Sequence, residues 1–263
     1  MRWSQVLFSQ GFGARRECEG LIVSGFVRHQ GLVVDDPDAE VATDSLVFEV
    51  EGRVWPFHQH ALVMLHKPAG YECSQKPGAH PSVMNLLPVP LRLRGGKKGG
   101  AADGVQPVGR LDVDTTGLLL LTDDGALLHK LTSPKHKVPK VYELTVADPV
   151  TAAAVAELLA GVVLHDDPKP VRAAACVQTG EHTLTLTITE GKYHQIKRML
   201  GAVGNRVTAL HRSSIGSLAL PADLAPGQWR WIDDRAVLFA DSSPKTADAL
   251  PPPGAPLAAG SAR

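Results

Sequence analysis

The sequence predicts an α+β protein, in which a small helix-then-strand segment precedes a larger body built on a mixed, largely antiparallel sheet. Three observations lead there. Two short helical stretches at the start are set off from each other and from the strands after them by Gly11, Gly13 and Gly25. Residues 182–189 alternate Thr with Leu or Ile at period two, the pattern of a strand with one buried face. Strand-like runs also outnumber helical ones and succeed one another without the regular alternation of a parallel βαβ fold.

Taken in order, helices are expected at residues 3–10 and 15–24, followed by strands, so that residues 1–57 form a compact first segment. The body then runs over residues 61–240, with strands expected at 61–65, 118–122, 141–147, 182–189 and 207–210. Helices are expected at 126–132, 152–159 and 194–203. Residues 92–104 are rich in Gly, Arg and Lys and read as a flexible basic loop. Residues 241–263 are rich in Pro and Ala, with too little apolar bulk to offset the entropy of ordering, and are expected to be disordered.

Composition narrows the function classes. Hydrophobic residues make up 44% of the chain and charged ones 21%, as in ordinary globular proteins. No apolar run approaches the ~20 residues that span a bilayer, and no secretory signal is expected at the start. Cys18, Cys73 and Cys176 are far apart and lack Cys-x-x-Cys spacing, which speaks against a disulfide framework or a zinc site and for a reducing cytoplasm.

The 27 basic and 27 acidic residues cancel, yet they are unevenly spread. The seven acids from Asp35 to Glu51 meet no Lys or Arg, whereas residues 61–240 carry 20 basic side chains against 16 acidic. Lys130, Lys135, Lys137 and Lys140 form a dense run with His129 and His136. A phosphate backbone needs only such a local patch.

Two stretches carry chemistry. Val108-Gly-Arg-Leu-Asp-Val-Asp-Thr-Thr-Gly117 places Asp112 and Asp114 in a Gly-bounded loop that feeds a fully apolar strand. An Asx-rich turn would also explain these acids. Asp112-Val-Asp-Thr-Thr116 further satisfies the Asp-x-Asp-x-Thr of magnesium-dependent phosphotransferases, but that motif follows a buried strand, and here the apolar run comes after. In Glu190-Gly-Lys-Tyr-His-Gln-Ile-Lys-Arg-Met199, the residues His194, Gln195, Lys197 and Arg198 gather at the start of an expected helix, whose dipole and basic side chains favour an anion. A solvated basic helix face would read the same way. Between the two stretches, Lys140-Val-Tyr142 opens a strand with a tyrosine, which is most often packing.

Together these stretches resemble the bacterial pseudouridine synthases, specifically the RsuA-like branch acting on small-subunit ribosomal RNA. Gly109-Arg-Leu-Asp112 with Thr115-Thr-Gly-Leu118 resembles the family's catalytic motif, Lys140-Val-Tyr142 its tyrosine motif, and Glu190 to Met199 its basic motif. The resemblance extends to His66-Lys-Pro-Ala-Gly-Tyr-Glu-Cys73, Thr132-Ser-Pro-Lys-His136, Leu210-His-Arg212 and Ala222-Asp-Leu-Ala-Pro-Gly227. Residues 1–57 resemble the α-L RNA-binding module often fused to these enzymes, departing from it at Trp3-Ser-Gln5 and in their acidic strands.

The resemblance implies a pseudouridine-synthase catalytic domain over residues 61–240 that isomerises a uridine in 16S ribosomal RNA, with 23S ribosomal RNA as the alternative substrate. Asp112 would be the catalytic carboxylate, Lys197 its basic partner and Tyr142 the ring that stacks on the target base, with Met199 or Leu200 walling the pocket. Arg15, Arg16, Arg28, Arg110, Lys135, Lys137, His194, Gln195, Arg198 and Arg212 would contact RNA. No metal or cofactor, no membrane and no obligate protein partner is implied, and the expected form is a monomer bound to ribosomal RNA or a pre-ribosomal particle. A non-catalytic RNA-binding protein would explain the basic patch but not the Asp112 loop.

Overall fold

The computed structural model describes residues 1–95, 104–133, 135–165 and 167–239. The expected tail at 241–263 lies outside the described residues, as do residues 96–103 of the expected loop.

The chain opens with helices α1 (Trp3–Gln10) and α2 (Arg15–Val23), then strands β1 (Val27–His29), β2 (Leu32–Val33), β3 (Val47–Val50) and β4 (Arg53–Pro56). These strands form an antiparallel sheet in the order β2-β1-β3-β4. Trp3, Val6, Leu7, Cys18, Ile22, Phe48 and Trp55 are buried beneath the helices, and such burial is the main force holding a segment this small together.

The body begins with β5 (Leu62–Lys67), α3 (Val89–Leu93), β6 (Gln106–Pro107), β7 (Thr116–Thr122), α4 (Gly125–Thr132) and β8 (Lys140–Val146). It continues with α5 (Ala152–Ala160), β9 (Val162–Leu164), β10 (Asp167–Val171), β11 (Ala175–Gln178) and β12 (Thr183–Ile188). It closes with α6 (Gln195–Ala202), β13 (Val207–Ile215), β14 (Leu218–Ala219) and β15 (Trp229–Trp231). A nine-stranded sheet runs β11-β12-β8-β13-β7-β5-β15, with β14 added to β13 and β6 to β7. Among these pairs only β13–β7 is parallel, so the sheet is mixed and largely antiparallel, as the sequence predicts.

Each strand's composition follows from what covers it. β7 is central, and Leu119 and Leu121 enter one apolar cluster while Leu118 and Leu120 enter another, so both faces are buried and the run is apolar throughout. β12 buries Leu184, Leu186 and Ile188 and leaves its threonines half-exposed, which produces the period-two alternation.

Several elements depart from expectation. β13 runs on to Ile215, beyond the expected end at residue 210, because Arg212 is drawn into the core by hydrogen bonds rather than ending the strand. The end of α3 and Arg94 occupy the start of what the glycine content predicts as flexible loop. Arg94 is buried, its Nε donating to Asp123 Oδ2 at 2.8 Å and its Nη1 to Gln10 Oε1 at 2.6 Å. Arg94 thus ties α1 to the loop after β7. Trp55 packs edge-on against Trp231 with ring centres 5.4 Å apart, and His58 stacks on the same indole at 4.3 Å. The first segment therefore meets the body through a buried guanidinium and an aromatic cluster.

Candidate active site

A cleft of about 1550 Å³ opens where the loop before β7, the start of β8 and the start of α6 converge. Its lining brings together Asp112, Asp114, Tyr142, His194, Lys197 and Arg212, which lie on four separate stretches of chain.

The Asp112 loop is fixed from beneath by Lys67, at the end of β5. Its ammonium is wholly buried and donates to the carbonyls of Pro68 at 3.0 Å, Val113 at 3.2 Å and Thr115 at 2.7 Å. Burial pulls the Lys67 pKa down, and three carbonyl partners replace the water it has lost. The amide of Gly70 donates to the same Val113 carbonyl at 2.8 Å, and that of Leu111 to Cys73 Sγ at 3.4 Å. Beyond the loop, Gly117 has φ +106°, and a Cβ there would overlap the backbone of Arg212 in β13. Glycine at this position is what lets β13 pair with β7 in parallel.

Lys197, on α6, bridges the two acids. Its Nζ lies 3.1 Å from Asp112 Oδ2 and donates to Asp114 Oδ1 at 2.7 Å and Oδ2 at 2.9 Å. The hydrogen bond from Lys197 holds Asp114 below the usual carboxylate range. Burial works against the Lys197 ammonium, but hydrogen bonds to Asp114 and Asp112 outweigh it and hold the lysine above its ordinary range. His194 has left-handed backbone at φ +47° and places Nε2 3.3 Å from Asp112 Oδ1. A carboxylate is thus presented at the cleft with a cation at one oxygen and an imidazole at the other.

Tyr142 is buried at the cleft floor, with Arg212 behind it. The Arg212 Nε donates to the Leu118 carbonyl at 2.8 Å and its Nη1 to the Tyr142 hydroxyl at 3.4 Å. Lys140, at the start of the same strand, lines the cleft and donates to the Val138 carbonyl at 3.2 Å. Burial, reinforced by the charge of Arg212, pulls its pKa down to about 8. Apolar lining comes from Val108, Leu111, Leu131, Leu159 and Ile215.

Four sequence-based assignments need correction. Met199 and Leu200 are 0% and 1% exposed and point into the main core, so neither walls the cleft. Gln195 is buried too, its Oε1 accepting from the Lys192 amide at 3.0 Å, which spends it on the turn before α6 rather than on RNA. Arg212 is 2% exposed and cannot hold a phosphate at the surface; it supports Tyr142 instead. His194, half-exposed on the cleft lining, also reaches the acid. Arg110 and Lys137 are exposed on the cleft lining, and Lys135 is exposed beside it. Arg198 donates to the Tyr193 carbonyl at 3.0 Å. Arg15, Arg16 and Arg28 are exposed on the first segment.

Sequence reasoning gave no site role to Lys67 or Tyr193, and placed Lys140 only in a basic run and a motif. The first had a signal: a lysine closing an otherwise apolar strand just before Pro68 must either snorkel out or find buried acceptors.

A family model described as RNA pseudouridylate synthase matches residues 61–202. The ribosomal small subunit pseudouridine synthase A of Haemophilus influenzae is 37% identical over 217 residues, covering 82% of this chain and 89% of that protein. The protein of the same name from Vibrio cholerae is 37% identical over 237 residues, covering 90% of this chain and 98% of that one. A crystal structure described as a pseudouridylate synthase shares 32% identity at a TM-score of 0.62, covering 90% of this chain and 98% of that chain.

Proposed function

The chain belongs to the RNA pseudouridylate synthase family, and from that premise we propose that it converts a specific uridine of 16S ribosomal RNA to pseudouridine with Asp112 as the catalytic carboxylate. The observation that carries this reading is the Asp112 carboxylate itself, held on a rigid loop between Lys197 and His194 and opening into a cleft floored by a tyrosine. Small-subunit ribosomal RNA is favoured because the relatives from Haemophilus influenzae and Vibrio cholerae are, by name, ribosomal small subunit pseudouridine synthases. The alternative, 23S ribosomal RNA, would use the same chemistry.

The reaction breaks the N1–C1′ bond, rejoins the base through C5 and moves a proton from C5 to N1, so atoms and electrons balance without an added reactant. One ionised group at the ribose–base junction suffices, whether it attacks the sugar, attacks the base or removes a ribose proton. Lys197 would keep Asp112 oriented, and Tyr142 would stack on the uracil. A uridine in folded RNA must leave its stack to reach these groups, at a cost of a few kcal/mol. Arg110, Lys135 and Lys137 would hold the flanking phosphates. We assign residues 1–57 to an RNA-binding module, residues 61–240 to the catalytic domain, and the protein to the cytoplasm as a monomer. Among the described residues no helix is long and apolar enough to cross a membrane, and the three cysteines are free and buried.

The test maps pseudouridine in ribosomal RNA from cells lacking the protein and from the same cells supplied with the natural chain, Asp112→Asn or Asp114→Asn. One site in 16S RNA should vanish, return with the natural chain, stay absent with D112N and return with D114N. D112N should still bind the RNA, since the swap removes charge at similar size. A missing site in 23S RNA would move the substrate to the alternative. Equal loss in both variants would make the two acids a working pair. Turnover that needs magnesium on a small unstructured RNA would overturn the metal-free reading.

A further inference from the structure

Tyr193 is 69% exposed, the most exposed aromatic side chain among the described residues, and it lines the cleft beside the acid. Its ring is stacked on His194 with centres 3.8 Å apart and planes 22° from parallel. Nothing in the chemistry at Asp112 uses it. We infer that Tyr193, backed by His194, is a stacking platform for a nucleobase next to the target uridine in the RNA strand. This rests on the function proposed above and names how the same site holds its substrate.

Three features support the inference. The first is size. The cleft, at about 1550 Å³, exceeds the roughly 300–1,000 Å³ of sites that enclose one small ligand, so one flipped nucleotide leaves room for its neighbours. The second is preorganisation. Arg198 holds the Tyr193 carbonyl, and His194 takes a left-handed backbone that turns both rings toward the Asp112 side. An aromatic side chain braced in this way loses little entropy when a base settles on it, and its open face suits any base. The third is chemistry. RNA displaced from a helix is commonly held by aromatic stacking combined with cations along the backbone, and Arg110, Lys137 and Arg172 line the same cleft. The His194 contact with Asp112 places the platform one ring away from the reacting carboxylate.

The experiment uses the full chain and a small-subunit RNA fragment containing the target uridine, with abasic nucleotides placed in turn at each neighbouring position. Binding is measured in a D112N background, so that the RNA is not turned over. Y193A should weaken binding by roughly five- to a hundred-fold, the range for loss of one base stack. Y193L, which keeps apolar bulk without a π face, should lose as much, and Y193F should recover most of the affinity. At one abasic position, and only there, the Y193A loss should disappear, because the stacked base is already gone. With Asp112 intact, Y193A should raise KM more than it lowers kcat.

Binding by Y193A within about twofold of the parent would overturn the inference, as would a Y193A loss that stays the same at every abasic position. Pseudouridine formation by the natural chain on the unmodified fragment is followed in parallel. No product there sinks the function reading and the platform with it; product together with an unaffected Y193A sinks the platform alone.

Discussion

Two lysines, Lys67 wholly buried and Lys140 half-buried, answer the loss of water in different ways. Lys67 satisfies its ammonium with three carbonyls and so serves the loop it holds, whereas Lys140 has one, Val138, and faces the cleft. With its pKa pulled to about 8, Lys140 is charged below that pH and neutral above it. RNA affinity should therefore fall as pH rises through about 8, and a bound phosphate should move the midpoint upward by favouring the charged form. Stability should move the other way. The folded pKa lies below the ordinary 10.5, so between pH 8 and 10.5 the unfolded chain holds more protons at this site and stability rises with pH. Lys140→Met should flatten both profiles, as read by anisotropy titrations and by urea unfolding at pH 7, 8 and 9. Profiles unchanged in K140M would assign the titration elsewhere.

The pairing of β7 with β13 is the contact on which the cleft depends at the level of elements. It brings the strand after the Asp112 loop against the strand that carries Arg212, the residue behind Tyr142. Gly117 permits it, because its φ of +106° and the overlap of a Cβ with the Arg212 backbone exclude any side chain. Gly117→Ala should cost about 2 kcal/mol or more, from unfavourable backbone geometry plus the overlap. The expected signature is a lower urea midpoint with an unchanged slope, together with loss of turnover larger than loss of stability explains. A variant of normal midpoint and activity would mean that the two strands can part without consequence.

Contact between the first segment and the body settles how their contributions can be separated in the whole molecule. Residues 1–57 cannot simply be cut away: Gln10 accepts from Arg94, and Trp55 covers Trp231. Deletion would leave a buried cation short of a partner and expose an indole, so the remaining body should melt at lower temperature than the full chain. The clean test of RNA contact is the triple variant R15A/R16A/R28A, which touches exposed side chains only. If these arginines meet phosphates, the slope of log affinity against log salt should flatten by about 0.7–0.9 per contact, while kcat stays near that of the natural chain. An unchanged slope would mean that the acids between Asp35 and Glu51 cancel the charge of the segment.

Local sequence determined much of this protein. Period-two alternation located β12, the apolar run located β7, and the resemblance of the motifs singled out Asp112, Tyr142 and Lys197, all of which line one cleft. These are features that neighbours along the chain specify, or that a resemblance carries as motifs. Tertiary structure decided which way each side chain faces. On α6, Lys197 reaches the acids while Gln195, Met199 and Leu200 turn into the core, a choice made by how the helix packs and not by its composition. Arg94 and Arg212 look like surface cations in the sequence and are buried, because acceptors remote along the chain, on Gln10, Asp123 and Leu118, converge on them only after folding. A charged group can be buried wherever distant partners replace its water, and those partners cannot be read from its own stretch of sequence.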